Sequence, residues 1–473
     1  MEILPECKDF CREENLLQLG DRVLLAVSGG PDSLALLDIF DRLKDNWNLD
    51  IGVFHLNHCL REAAAEEAEF VKEVCEARNI PCWLEKVDVK DVKEKRGSSL
   101  EETAREIRLA LLCKYAKKKE MDAVALGHQA NDRAETVIFN LIRGAGLPGL
   151  TGISPKSYHR DYPFIRPLLK FTKDQLENYC HERSLEPRID SSNFSTDYDR
   201  NKIRQELIPY LEKNFNPELI SILNSTADLI SSENEFLQEL AKKVFVQYSK
   251  MVKEHRIDLE IEPLKEVDMV LRRRVWRITI SKLKGSTEGY YKDNFAMLED
   301  IINNSADKEG NKTYHLPGQI IVQQEYGVLS FRDEVWQERQ KRYTTFSIIV
   351  ETPGKVELPD GRLLQFAITN LPENWQSIVT DENICLVDND KISWPLNVRN
   401  RKAGDKFKPL GMTGSKKIKD FFIDEKIPTD RRDKIPLVVD NRDRIVWVAG
   451  MRCGDNFKVT SDTQKVLKIK LKN

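Results

Sequence analysis

Several features that would reveal chemistry at a glance are missing from this sequence. Nine cysteines are scattered along 473 residues with no C-x-x-C pair and no metal-ligand spacing, which predicts reduced, mostly structural thiols and no sequence-evident metal cluster. No uninterrupted apolar run reaches membrane length, and the opening MEILPECKDFCREENLL carries charges where a signal peptide needs an apolar block; a cytoplasmic protein is expected. The string GxxxxGK[ST] is absent too, which excludes a Walker-type phosphate loop. With 32% charged and 40% hydrophobic residues the composition is that of an ordinary soluble globular chain, long enough for two to four domains.

What is there begins with RVLLAVSGGPDSLALLDIF at residues 22–40. Val23 to Val27 read as a strand buried on both faces, and Leu34, Leu37 and Phe40 recur at helical spacing. The turn between them is a strand-to-helix junction whose first helical amides point outward without intrahelical partners. Gly29 and Gly30 let the backbone approach a ligand, and Ser28 and Ser33 add hydroxyl donors around the same concavity. Such a junction is an anion cradle.

Alternation continues downstream. IGVFHLNH, CWLEKVDV and DAVALGH read as strands; REAAAEEAEFVKEVCEARN, SSLEETAREIRLALLCKYAKKK and NDRAETVIFNLIR read as helices, the second with a capping box from Ser99 to Glu102 and a buried stripe of Leu100, Ala104, Ile107 and Leu111. Strands separated by helices predict an α/β fold with a doubly wound parallel sheet, whose ligands sit beyond the carboxyl ends of the strands. That rule brings three segments to one crevice: residues 28–33, residues 55–61 (HLNHCLR) and residues 127–136 (GHQANDRAET). Asp132 and Glu135, three apart at a helix start, lie on one face where they can meet a cation or receive a proton, although acids at a helix N-terminus also answer to the macrodipole. Arg105 and Arg108 at the edge of the apolar stripe can clamp a phosphate or carboxylate, or simply pair with Glu101 or Glu102.

Several of these segments together resemble one family, the tRNA(Ile)-lysidine synthetases of the PP-loop (N-type ATP pyrophosphatase) superfamily. The matching pieces are SGGPDS at Ser28, HLNHCLR at His55, EETAREIR at Glu101, LGHQANDRAET followed by LIRGAGLPGL, IRPLL at Ile165, DSSNFSTDYDRNKIRQELIP at Asp190 and VRNRKAGDKFKPLGMTGSKKIKDFFIDEKIP at Val398. The resemblance implies a Rossmann-like catalytic domain and a two-step ligation: ATP adenylates the C2 oxygen of the wobble cytidine of tRNA(Ile) with a CAU anticodon, and the ε-amine of free L-lysine then displaces AMP. By matching position, Ser28, Gly29, Gly30, Pro31, Asp32 and Ser33 bind ATP together with His55 and His128, and Asp32 organises Mg2+. Arg105 lies near the reacting centre, Asp132 and Glu135 recognise lysine, and Arg200, Asn201 and Arg204 contact the tRNA. This chain departs from the family at Gln129, Asn131 and Arg133, where a second histidine and a D-D-Q string are common, and at Glu62, where glycine is usual.

From about Asn214 to Asn304 the pattern turns mostly helical, with a basic helix in LRRRVWRITISKLKG whose arginines read as a charged surface, the alternative being an RNA-facing edge. Residues 303–319 read as turn-rich and IIVQQEYGVLSFR as β-like. From Lys391 onward there are 21 Lys and Arg against 10 Asp and Glu, a net of +11; the whole chain is −3, which leaves −14 for the rest. A basic end on an acidic protein is the footprint expected for a phosphate backbone, with Lys416, Lys417 and Lys419 as candidate contacts. KVLKIKLKN alternates lysine with Leu and Ile, which suits either a protected edge strand or RNA contact. The expected organisation is a PP-loop domain over 1–212, a mostly helical domain over 213–340 and a basic α+β tRNA-binding region over 341–473. A homodimer is the one protein partner considered. Two other functions share the loop: tRNA thiolation by another PP-loop enzyme, and tRNA binding without catalysis.

Overall fold

Val23, Leu24 and Leu25 are fully buried in β1 (Arg22–Ala26), as a strand covered on both faces requires. The computed structural model describes residues 3–57, 64–88, 100–188, 199–286, 289–290, 292–304, 312–341, 345–378 and 381–472. The chain divides into two units, Met1–Leu237 and Gln238–Asn473, each with its own cores.

In the first unit β1, β2 (Asp50–Asn57), β3 (Cys82–Lys86), β4 (Ala123–Leu126), β5 (Lys156–His159) and β6 (Tyr162–Ile165) form one sheet in the order β3-β2-β1-β4-β6-β5. All neighbours are parallel except β5, which adds antiparallel to β6 at the edge. Helices α1 (Ile3–Glu13), α2 (Pro31–Trp47) and α3 (Ala64–Glu76) contribute to the core on one face, and α4 (Leu100–Lys118) to that on the other. Strand order reverses between β1 and β4, which puts the ligand crevice where α2 and α5 (Ala130–Ile142) begin. Ile203, Ile208 and Ile220 pack against Ala130, Ala134 and Ile138 of α5, so the chain after residue 199 lies on that helix.

The buried face of α4 differs from the expected one. Thr103, Leu112 and Ala116 are fully buried, whereas Ala104, Ile107 and Leu111 are half-buried. Arg108, Leu112 and Ala116 follow one another at four-residue spacing, so Arg108 shares the face that packs on the sheet. Ser99, the side chain of Glu102 and residues 58–63 lie outside the described residues, and with them the capping box and most of the HLNHCLR segment.

The second unit opens with a five-stranded antiparallel sheet, β7 (Ser249–Lys253), β8 (Arg256–Glu260), β9 (Lys312–Leu316), β10 (Ile320–Glu325) and β11 (Val328–Arg332), in the order β7-β8-β11-β10-β9. Residues 312–316 of the stretch expected to be turns thus form a strand. Helices Met269–Lys284 and Lys292–Asn303 pack on this sheet, with Trp276 stacked on Phe331. Two arginines of the basic helix are buried, contrary to a charged surface: Arg272 bonds Glu299 through Nε at 2.9 Å, and Arg274 is also enclosed. Glu299 uses its other oxygen for the Trp276 indole at 2.7 Å.

The remaining strands, from residue 347 on, make two four-stranded antiparallel sheets over a shared core and a two-stranded ribbon of Lys406–Phe407 with Lys416–Lys417. The terminal strand Lys465–Lys472 pairs on both sides, with Leu363–Asn370 and with Ile384–Asp388, so it is central and edge protection does not explain its lysines. Its alternation does hold: Leu467, Ile469 and Leu471 are buried and Lys465 and Lys472 exposed. Reduced thiols are found at six described cysteines, but Cys385 and Cys453 are joined by a disulfide, their Cα atoms 6.0 Å apart.

Removing Glu299 strands a buried guanidinium and an indole N–H. Glu299→Ala should therefore cost about 3 kcal/mol in urea unfolding; a loss below about 0.5 kcal/mol, the level of an ordinary surface change, would contradict the pairing.

Candidate active site

The loop between β1 and α2 is held by its own last serine. Ser33 Oγ accepts from the amides of Ser28 (3.2 Å) and Gly29 (3.1 Å) and donates to the Gly30 carbonyl at 2.9 Å. Ser33 is buried, so it braces the loop and does not line the concavity as expected; Ser28 is the exposed hydroxyl. Gly29 has φ +94°, a left-handed conformation that side-chain-bearing residues rarely adopt. Pro31 has no N–H, and Leu34 N–H is bonded to Gly30 O at 3.0 Å. The amides of Gly30, Asp32 and Ser33 find no acceptor among the described residues. Three free amides at a helix start are what an anion needs.

Two neighbours fix this loop. The His55 ring is buried and bonds the Val27 carbonyl through Nδ1 at 2.9 Å, at the point where the strand becomes the loop; burial, its largest influence, holds the ring below its ordinary pKa. Gly127, after β4, lies so close to α2 that a Cβ there would stand 3.2 Å from Asp32 O and 3.4 Å from Ser33 N. The sequence reading did not single out Gly127; its place at the end of an apolar strand, just before a helix start, was the available signal.

Beside the loop the charges separate into two groups. In the first, Asp132 and Glu135 stand on one face of α5, as their spacing predicts. Arg204 reaches both: Nε to Glu135 Oε1 at 2.6 Å, Nη2 to Asp132 Oδ1 and to Glu135 Oε2, both at 2.9 Å. Arg200 adds Nε to Glu135 Oε2 at 3.4 Å and Nη2 to Thr136 Oγ1 at 3.2 Å. Asp132 Oδ2 accepts from the Gln129 amide at 3.0 Å, so this acid also serves the helix start. Burial raises the Glu135 pKa, opposed by Arg204. Arg200 and Arg204, expected to face RNA, are therefore engaged with the two acids, and Asn201 between them is not free either.

In the second group no arginine is ion-paired among the described residues. Arg108 Nε, His128 Nδ1 and Arg166 Nε are buried without hydrogen-bond partners among the described residues. Arg166 donates through Nη1 to Ser154 O at 2.9 Å and to Ser157 Oγ at 3.0 Å; burial, then the charge of Arg105, brings its pKa down to about 10. Burial and four arginines hold His128 well below its ordinary value, and hence neutral. Arg105 is exposed at the margin. Arg108 and Arg166 are the members that the sequence reading left open or passed over. Near Asp132 and Arg204 lies Asp32: its Oδ1 is buried with no partner among the described residues, and burial followed by the charge of Asp132 raises its pKa to about 7.

Arg133, one of the departures noted above, is buried; it bonds the Thr151 carbonyl at 3.3 Å and Asp228 at 2.5 Å, which ties α5 to the helix Leu219–Tyr248. In the second unit, Lys416 is paired with Asp424, while Lys417 and Lys419 are exposed. Residues 411–416 line an open cavity of about 520 Å³ beside them. No group of three His, Cys, Asp or Glu that could hold a metal, and no helix long and apolar enough to cross a membrane, occurs among the described residues.

Two family models match the chain: a PP-loop domain over residues 6–211 and the TilS substrate C-terminal domain over residues 396–471. The tRNA(Ile)-lysidine synthase of Clostridium perfringens is 37% identical over 98% of this chain and 98% of its own. That of Caldanaerobacter subterraneus is 35% identical over 96% and 94%. A solved TILS C-terminal domain covers 27% of this chain and 97% of its own at 28% identity, with a TM-score of 0.24.

Because Asp32 binds its proton more tightly folded than unfolded, its contribution to stability falls as pH rises from about 4 to about 7 and is level above. In the ligand-free protein Asp32→Asn should raise Tm by several degrees at pH 8 and by clearly less at pH 5. Equal gains at both values would contradict the assignment.

Proposed function

The chain belongs to the tRNA(Ile)-lysidine synthase family, an ATP-dependent C–N ligase, and from that premise we propose how its residues divide the reaction. The amides of Gly30, Asp32 and Ser33 hold the leaving pyrophosphate while the C2 oxygen of the wobble cytidine attacks the α-phosphate. Those three unpaired amides at a strand end are the observation that carries the reading. Ser28 supplies a hydroxyl at the rim, Gly29 and Pro31 shape the turn, and His55 steadies it from below.

Arg105, with Arg108, Arg166 and neutral His128 near it, faces the charge that builds on the transferring phosphate, which a cluster of arginines without ion-pair partners among the described residues is suited to offset. For magnesium, a buried carboxylate oxygen without a hydrogen bond is the hard donor such an ion takes, so Asp32 fits and would hold it; the ion would supply further neutralisation of phosphate charge.

Asp132 and Glu135 receive the ε-ammonium of L-lysine, which is mostly protonated at neutral pH and unable to attack until it loses a proton. Burial makes Glu135 the better acceptor of that proton. The cytidine C2 oxygen then departs with AMP, and the new C–N bond is lysidine. Arg200, Asn201 and Arg204 contact the tRNA near the reacting base. Lys417 and Lys419, exposed within a basic segment, and Lys416, once released from Asp424, contact its backbone. Full-length relatives at 31–37% identity support this reaction over thiolation.

Incubation with tRNA(Ile) bearing a CAU anticodon, ATP, magnesium and labelled L-lysine should transfer label to the tRNA only when every component is present; unlabelled tRNA despite pyrophosphate release would point to another nucleophile. Asp132→Asn should raise the KM for lysine by about tenfold or more while changing ATP binding less than about twofold. Equal loss of both would place Asp132 in the wrong part of the site.

A further inference from the structure

We propose that Arg200 and Arg204 are shared between two partners: without RNA they are the counter-ions of Asp132 and Glu135, and the phosphate backbone of the RNA substrate takes them over, so that the lysine site opens only when RNA is bound. This rests on the reading of Asp132 and Glu135 as the ammonium receptors.

All four carboxylate oxygens are already in use. Glu135 Oε1 and Asp132 Oδ1 accept from Arg204, Glu135 Oε2 from both arginines, and Asp132 Oδ2 from the Gln129 amide. Glu135 Oε2 is doubly occupied and each of the other three oxygens holds one donor, so an ammonium ion that enters competes with the guanidiniums for the same pair of charges. The two sides of the cluster differ in access: the Glu135 side chain is 2% exposed and that of Asp132 14%, whereas those of Arg200 and Arg204 are 30% and 38% exposed. A polyanion from solvent therefore reaches the arginines and not the acids, and phosphate competes with carboxylate for the same planar donors.

Withdrawing the guanidiniums leaves a buried carboxylate pair without a cation, a state whose cost is severe unless another cation fills it. The lysine ammonium is that cation. RNA and lysine thus favour each other's binding, and by linkage the factor is the same in both directions. The chain at this point is built to shift: Arg204 lies in a single π-helical turn, Ile203–Leu207, between the helices Asp199–Lys202 and Ile208–Asn214. Such turns are local irregularities frequent at functional sites. Ile203 meanwhile stays anchored in the apolar cluster under α5, which fixes where the turn pivots.

Equilibrium dialysis of labelled L-lysine against the full chain, with ATP omitted, reads the coupling directly. Saturating tRNA(Ile) transcript should tighten lysine binding by about tenfold, a typical coupling factor. Arg204→Gln should bind lysine without RNA about as tightly as the unaltered chain does with it, with coupling reduced below about twofold. Lysine affinity indifferent to RNA in the unaltered chain would overturn the proposal whatever the variant does. So would loss of lysine binding by a folded Arg204→Gln both with and without RNA, since Arg204 would then be part of the lysine receptor. Label transfer without coupling would end this inference and leave the reaction standing, whereas absence of any transfer would remove the reading beneath it.

Discussion

One hydroxyl organises the first turn of α2. By taking the amides of Ser28 and Gly29 and returning its proton to Gly30 O, Ser33 closes the loop on itself, and the amides of Gly30, Asp32 and Ser33 are left without an acceptor among the described residues. The sheet then supplies position. β1 and β4 are neighbours, so Gly127 presses on the start of α2 and carries His128 and α5 to the same crevice; β2 brings His55 under the loop from the other side. Replacing that serine would free the wrong donors and lose the shape that makes the right ones available.

Around this loop the site is electrostatically divided. Among the described residues Arg108, Arg166 and His128 present buried nitrogens with no partner, while Asp132 and Glu135 are both bound by Arg204. A reaction that activates a base with an anionic phosphate donor and then brings in an amine that arrives as an ammonium ion is served by two such environments, one for each reactant. Burial sets the strength of both: it lifts the carboxyl pKa of Asp32 and Glu135 and lowers that of Arg166 and His128.

Local signals carried much of this into the sequence. A short Val and Leu run, two glycines and a proline, then helical spacing, suffice for the strand, the loop and α2, because each is decided within a few residues. The spacing of Asp132 and Glu135 likewise sets their common face. Contacts over long separations were not legible: the grip of Arg204 on acids some 70 residues earlier, the inward turn of Arg108 and the burial of Arg272 against Glu299 all follow from packing that no local pattern encodes. The terminal strand is a further case. Its alternation was plain, but its central place depends on partners about 80 to 110 residues upstream. The Cys385–Cys453 bridge spans 68 residues and had no spacing signature.

The two chemical halves meet in the fate of the nucleotide. If the outward amides grip the terminal phosphates as a leaving group, phosphorus NMR of a complete reaction with tRNA, lysine and magnesium should show ATP converted to AMP and pyrophosphate in equal amounts, each matching the lysine incorporated. ADP and orthophosphate in their place would contradict that account of the loop and of the crevice built around it.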